Sequence, residues 1–294
     1  MAYVVASPGS CGEFIQGYKD GASFMVTCPV NRYALAASGE GVAPMALPEK
    51  AEAAREKTLS YLGREGERVP VRLLSAIQPG KGMASSTADI SAVAQATALA
   101  CGRTLTDREL AAIALSIEPS DATFFEGIVQ FDYRKGTLIR ELGHAPALDI
   151  VIYDCGGEVD TCAFNSRRDL ISLQQENEPA TARALALFQK GLRTKSPALI
   201  GQAATISAMA NQKILFKKEL IPFMEAGMAA GGLGVIAAHS GTVLGLIIPA
   251  GAEEASVRKG IEAALGDSLV YLDTVSLTNE GMTIKECDSC ELSF

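Results

Sequence analysis

The chain has 294 residues, 48% hydrophobic and 20% charged, enough for one large domain or two compact lobes around a sizeable core. Its 26 basic and 34 acidic side chains leave a formal charge of −8, which argues against a broad nucleic-acid surface but not against a local basic pocket. No apolar run approaches the roughly 20 residues that cross a bilayer, so no membrane span is expected.

In chain order, Met1–Ala6 lacks the basic stretch of a signal peptide and reads as the start of a strand. Short apolar runs at 3–6, 24–28 and 33–37, broken by glycines, predict antiparallel strands. A Glu/Lys/Ala-rich stretch over 48–62 predicts an exposed helix, and 69–77 a strand. After a glycine-rich turn at 79–82, small residues predict a helix from Ser85 to about Cys101. Thr106 with Glu109 three residues on predicts an N-capped helix to about Ser116. Strands are expected at 127–133, 137–141 and 148–153. Residues 167–230 are helical in pattern, rich in Ala, Leu, Gln and Lys. Strands at 233–238 and 243–248, a helix at 253–265 and a strand at 268–275 complete an α+β chain. A change of character near residue 155 divides it into lobes 1–155 and 156–294, packed directly on each other.

Seven cysteines without a secretory signal predict reduced thiols and a cytoplasmic location. Cys287 and Cys290 form a C-x-x-C, but no second pair stands at metal-ligand spacing and only His144 and His239 are present. A solvated tail with two free thiols is therefore expected, rather than a metal or redox pair.

The most informative segment is Pro79-Gly80-Lys81-Gly82-Met83-Ala84-Ser85-Ser86-Thr87-Ala88-Asp89. A strand leads in, glycines allow a tight turn and close backbone approach, and a helix leads out. Open N–H groups and the positive end of the helix dipole then converge where an anion can sit. Ser85, Ser86 and Thr87 add hydroxyls able to cap the helix, bond phosphate oxygens or ligate Mg²⁺, and Lys81 adds a cation. The pattern is neither Walker A nor G-x-G-x-x-G. Taken alone, it also fits an ordinary strand-to-helix turn with a serine cap.

Gly82-Met83-Ala84-Ser85-Ser86 resembles the G-L-G-S-S core of the phosphate loop of the GHMP kinases, with Met for Leu and Ala for Gly. The longer string 80–90 is similar to the loop of the L-threonine kinases within that superfamily. Ser7-Pro8-Gly9-Ser10-Cys11-Gly12-Glu13-Phe14-Ile15-Gln16-Gly17 resembles their first motif, and Cys28-Pro29-Val30 also fits. Ala238-His239-Ser240-Gly241-Thr242-Val243-Leu244-Gly245 resembles their third. The three occur in family order across residues 7–245. This resemblance implies a two-lobed GHMP kinase fold, with an N-terminal lobe like ribosomal protein S5 domain 2 and a ferredoxin-like C-terminal lobe. It also implies ATP and Mg²⁺ as cofactors, L-threonine as acceptor and a role in cobalamin assembly, in a monomer or homodimer.

Phosphoryl transfer asks mainly for positioning and charge stabilisation. Ser116-Ile117-Glu118-Pro119-Ser120-Asp121 places two carboxylates at a helix end that Pro119 terminates. By resemblance, Asp121 is the candidate catalytic base, and Glu118 with Ser86 the Mg²⁺ pair. Much of the superfamily places its metal glutamate further upstream, which points near Glu109 instead. Pro79 through Thr87 are the implied nucleotide-binding residues. Glu13, Gln16 and Gly17 of the first motif, with His239, Ser240 and Gly241 of the third, are the substrate-side candidates, and Asn31 and Tyr33 stand beside them. Ser10 occupies the place of a lysine in many relatives, a role for which Lys81 is the replacement candidate.

Homoserine kinase is the nearest rival enzyme. A non-catalytic nucleotide-binding regulator is the rival of another class, disfavoured by the joint presence of Ser86, Glu118 and Asp121. A cysteine hydrolase built on Cys11 and His239 lacks an orienting Asn or Asp, and Cys11 fits a buried packing role better.

Overall fold

The computed structural model describes residues 1–287. Ten strands form one sheet in the order β5-β4-β2-β1-β7-β8-β6-β9, with β3 paired to β2 and β10 to β1. Its spine is a long hairpin, β1 (Ala2–Lys19) and β2 (Ala22–Gly39), each 18 residues and longer than the apolar runs alone suggest. Pro8, Gly9 and Gly12 interrupt the alternation from which a strand is recognised, yet the chain stays paired across them. The register with β2 shifts between Pro8 and Gly9, between Ser10 and Glu13, and between Glu13 and Ile15. Such bulges re-aim side chains, and Glu13 is thereby set opposite Ala237 of β7 (Gly234–Ala237), at the seam between strands of the two chain halves.

Helix α1 (Glu49–Tyr61) and strand β3 (Val71–Ser75) lead to the glycine-rich turn and then to α2 (Ser85–Ala100), packed against β1, β2 and α1. Helix α2 is built of small residues because nearly all of its faces are covered. Ala88, Ile90, Ala92, Val93, Ala96 and Ala98 are completely buried. Helix α3 (Asp107–Leu115) opens with the expected capping box, Thr106 accepting from the Glu109 N–H and Glu109 accepting from the Thr106 N–H. Strands β4 (Ile128–Phe131) and β5 (Ile139–Gly143) form the edge beyond β2, and β6 (Leu148–Asp154) inserts between β8 (Val243–Pro249) and β9 (Val270–Ser276).

The helical stretch divides into α4 (Thr161–Asn165), α5 (Leu170–Glu176), α6 (Glu178–Arg193), α7 (Pro197–Asn211) and α8 (Leu220–Ala229), with α9 (Glu254–Leu265) later. Helices α6 and α7 pack on β1, where Phe188 meets Phe14 with ring centroids 5.0 Å apart. Each such completely buried ring contributes about 1.5–3 kcal/mol of transfer free energy. Strand β10 (Thr283–Cys287) was not expected from the sequence; its residues are mostly exposed and it survives by pairing with β1 at Ala2–Ala6. Cys287 is disulfide-bonded, which corrects the expectation of a free thiol there, and Cys290 lies outside the described residues. No helix among the described residues is long and apolar enough to cross a membrane.

Candidate active site

A cleft of about 260 Å³ opens over the N-terminus of α2 and is lined by the turn before it and by residues from across the chain, among them Glu13, Lys50, Asp121, Val159, Asp160 and Ser240. Every residue of 79–87 except Lys81 faces it. Gly82 (φ +81°) takes the left-handed bend at the turn, and Ala84 follows with φ +55° at the helix N-cap. A non-glycine residue in that region costs about 1–2 kcal/mol, so the surroundings impose the bend. Ala84 has no side chain to cap α2, and no side-chain hydrogen bond closes that end. The first-turn amides therefore face the cleft open, with the positive end of the helix behind them, as an anionic ligand requires.

The third motif supports this turn from below. Thr242 and Val243 N–H groups both donate to the Lys81 carbonyl, at 3.0 and 3.2 Å. A Cβ on Gly241 would lie 2.4 Å from Gly82 Cα, so the two backbones touch. The first motif closes the third side, with Ser10 N–H donating to the Met83 carbonyl at 2.9 Å and Gly12 N–H to the Gly82 carbonyl at 3.2 Å. Lys81 itself turns away. Its ammonium donates to Asp154 Oδ2 at 2.7 Å and to the Gly157 carbonyl at 2.9 Å, tying the turn to the end of β6. Burial pushes Asp154 upward, but the bonds from Lys81 and the Gly156 N–H outweigh it and hold the carboxyl below its ordinary range.

Three carboxylates converge beside the turn. Asp121 is anchored through its N–H, which donates to Thr87 Oγ1 at 3.1 Å, and Thr27 Oγ1 lies 3.5 Å from its Oδ1. Burial pushes Asp121 up to about 8, and the carboxylates of Glu13 and then Glu118 push the same way. Glu118 sits just behind Pro119, its side chain almost wholly buried, with Lys50 Nζ 2.5 Å from its Oε2. Glu109, the alternative metal acid, is spent on the α3 capping box and on the Tyr61 hydroxyl at 2.8 Å; neither it nor Glu118 lines the cleft, but of the two only Glu118 acts on Asp121.

Glu13 faces the cleft from the bulged part of β1. Its Oε2 accepts from the His239 N–H at 2.9 Å and meets His239 Nδ1 at 3.1 Å, while His239 Nε2 reaches Ser207 Oγ at 3.1 Å. His239 is thus a buried orienting group for Glu13, and Ser240 is the residue of the third motif that faces the cleft. Gln16 is buried, its N–H donating to Ser207 Oγ at 3.2 Å, and its Oε1 finds no partner among the described residues. Gly17 lies against α6, where a Cβ would meet Thr181 Oγ1 at 2.4 Å. Neither Gln16 nor Gly17 lines the cleft. Asn31 and Tyr33 pair instead with the 276–278 segment, through Ser276 N–H and Thr278.

Cys11 is completely buried with its Sγ against Gly245, and burial drives its thiol far upward, away from nucleophilic reactivity. Cys11→Ala is expected to keep phosphoryl transfer within about threefold and to lose about 1–2 kcal/mol of stability through the cavity left behind; urea denaturation beside steady-state assay measures both. Large loss of activity without loss of stability would restore a chemical role for the thiol.

Sequence reasoning did not single out Lys50, Thr27 or Lys217. Lys50 lies in a helix whose composition reads as a solvated surface, so its approach to Glu118, 68 residues later in the chain, left no local trace. Thr27 immediately precedes the Cys28-Pro29-Val30 string, which was the available signal.

The family model described as the GHMP kinases N terminal domain matches residues 49–126. The L-threonine kinase of Salmonella typhimurium is 33% identical over 253 residues, covering 83% of this chain and 82% of that protein. Among solved structures, the homoserine kinase from Cytophaga hutchinsonii superposes with a TM-score of 0.67 at 18% identity, covering 97% of each chain. The structure of MDDEF in complex with MVAPP, AMPPCP and magnesium has a TM-score of 0.70 at 13% identity, covering 97% of this chain and 99% of that one. At those identities the two structures establish the shared fold.

Proposed function

The chain belongs to the GHMP kinases, and from that premise we propose that it transfers the γ-phosphoryl group of ATP to the side-chain hydroxyl of L-threonine. The observation that carries the chemistry is that Asp121 and Glu13 line a cleft at a helix N-terminus left uncapped for an anion, with Glu118 buried close enough to Asp121 to raise its proton affinity. The acceptor follows from the resemblance of all three motifs to L-threonine kinases and from the identity to the Salmonella protein.

In this reading the amides of 82–87 and the dipole of α2 hold the nucleotide phosphates. Ser86, which lines the cleft, and Glu118, buried beside it, would hold Mg²⁺, since a hydroxyl and a carboxylate suit a hard cation; Glu118 would then exchange its ion pair with Lys50 for the metal. A Mg²⁺ ion held by these residues would supply charge neutralisation for the phosphates. Asp121, kept in place by Thr87 and Thr27, accepts or orients the proton of the acceptor hydroxyl. The high proton affinity that burial gives it suits a base working near neutral pH. Glu13, fixed by His239, pairs with the acceptor's ammonium group. Product O-phospho-L-threonine would serve the aminopropanol linker of cobalamin, in the cytoplasm.

The test is ADP release from Mg-ATP with threonine, serine and homoserine as competing acceptors beside an acceptor-free control. Threonine is expected to give the fastest rate, with serine detectable because one methyl group is worth only about 1–3 kcal/mol. A faster rate with homoserine would keep the kinase and reject the acceptor; no stimulation by any alcohol would reject catalysis. Ser86→Ala is expected to raise the Mg²⁺ concentration needed for half-maximal rate by about tenfold or more while threonine KM changes little. An unchanged Mg²⁺ dependence would remove Ser86 from the metal site.

A further inference from the structure

Behind the cleft stands a buried cation that the proposed chemistry does not use. Lys217 is 6% exposed, and its Nζ donates to the Ala238 carbonyl at 2.6 Å. The same peptide unit presents its other end, the His239 N–H, to Glu13 Oε2 at 2.9 Å. One amide is therefore held between a buried ammonium and a buried carboxylate, with its dipole aligned to both. Hydrogen bonds in such a chain polarise one another, and a low-dielectric surrounding strengthens each.

The backbone around Lys217 is built for this placement. Gln212, just past α7, clamps it from both sides: its Oε1 accepts from the Lys217 N–H and its Nε2 donates to the Lys217 carbonyl, each at 2.8 Å. The groups facing the ammonium are Cys155, Glu13 and Glu219. Burial draws Lys217 down to about 8, and those neighbours act in the opposite direction. The cavity lined by Lys217, Cys155, Phe216 and Thr242 shares Val159 with the catalytic cleft, so the lysine lies immediately behind the acceptor side.

We propose that Lys217 is a positioning residue for acceptor binding, acting on Glu13 through the Ala238–His239 peptide unit. The proposal rests on the reading of Glu13 as the partner of the acceptor's ammonium. Removing the positive charge slackens the amide and frees Glu13 from the orientation in which it meets the acceptor. The turn at 79–87 keeps its own backbone hydrogen bonds to Ser10, Gly12 and Thr242, none of them made through the Ala238–His239 peptide unit, so nucleotide binding is affected less than acceptor binding even though Ala238 packs against Gly82.

The experiment compares the full chain with Lys217→Met, Lys217→Arg and Gln212→Ala, reading KM for threonine and for Mg-ATP separately. Lys217→Met is expected to raise threonine KM at least about tenfold and to leave Mg-ATP KM within about twofold, with Arg restoring most of the loss and Gln212→Ala giving an intermediate effect. The chain has two histidines, so in a His144→Gln background the ring resonances of His239 report its contact with Glu13 without turnover. They should move in Lys217→Met and return in Lys217→Arg. Equal rises in both KM values, or no rescue by Arg, would reduce Lys217 to a packing role and overturn the proposal. An unmoved His239 spectrum would overturn it whatever the acceptor. Should the wild-type protein prefer another alcohol, the threonine assignment fails, while a His239 shift rescued by Arg still upholds the link from Lys217 to Glu13. If Lys217→Met does not fold, the Gln212→Ala pair of KM values decides.

Discussion

Asp121→Asn is expected to lower kcat by at least about a hundredfold while affinity for a non-hydrolysable ATP analogue stays within a few fold of the wild type. The amide keeps the size of the carboxyl and the Thr27 contact, and the Asp121 N–H still donates to Thr87 Oγ1, so the cleft keeps its shape. What disappears is the ability to take or orient the acceptor's proton. Near-normal turnover would remove Asp121 from the chemistry. The same variant should gain stability, with a sign set by proton linkage. Folded Asp121 holds its proton up to about pH 8, against an unfolded value of 3.8. The wild-type protein therefore loses stability as pH rises through that interval, and the asparagine variant does not. Measured without nucleotide or metal, the Tm difference in favour of Asp121→Asn should grow from pH 4 to pH 8 and level off above it. Stability given up to hold a functional carboxylate in an unfavourable place is common at active sites. A difference independent of pH would mean that Asp121 titrates as an ordinary exposed acid.

Gly241→Ala acts at the opposite wall and is expected to impair nucleotide use instead. Its Cβ would fall 2.4 Å from both Gly82 Cα and the Lys81 carbonyl oxygen, and neither is a flexible side-chain tip that could swing aside. Either the turn or the third motif has to shift by about an ångström. Displacement on that scale at a reacting centre costs on the order of a hundredfold in rate, and overpacking costs about 1–3 kcal/mol of stability. The expected result is a fall of that size in kcat/KM for Mg-ATP with a lower Tm, while the contact between Glu13 and His239, on the far side of Ala238, persists. Unchanged kcat/KM would show that the close approach of the two backbones is dispensable.

Much of this protein is written locally. The strand-turn-helix at 79–87, the capping box of α3, the small-residue helix α2 and the break at Pro119 each follow from steric and hydrogen-bonding rules that act over a few residues. For that reason their boundaries and the tight bend of the turn into α2 are legible without coordinates. The three motifs were likewise readable as strings, and their chain order carried the family.

What the string does not contain is which side of each motif meets which neighbour. Lys81 looks like a phosphate cation and instead ties the turn to Asp154, because the third motif lifts the Lys81 carbonyl one way while its side chain leaves the other. Gly17 and Gln16 belong to the first motif, but the bulges around Glu13 turn only that carboxylate into the cleft. Lys50 and Lys217 carry no motif at all. Their meaning arises from partners 68 and 21 residues away, brought near by packing of α1 on α2 and of the segment after α7 under the third motif. Local rules determined the elements and the chemistry available in the turn. Long-range pairing of β1 with β7, and the burial that comes with it, decided which charges face one another and so which carboxylate is pushed towards holding its proton.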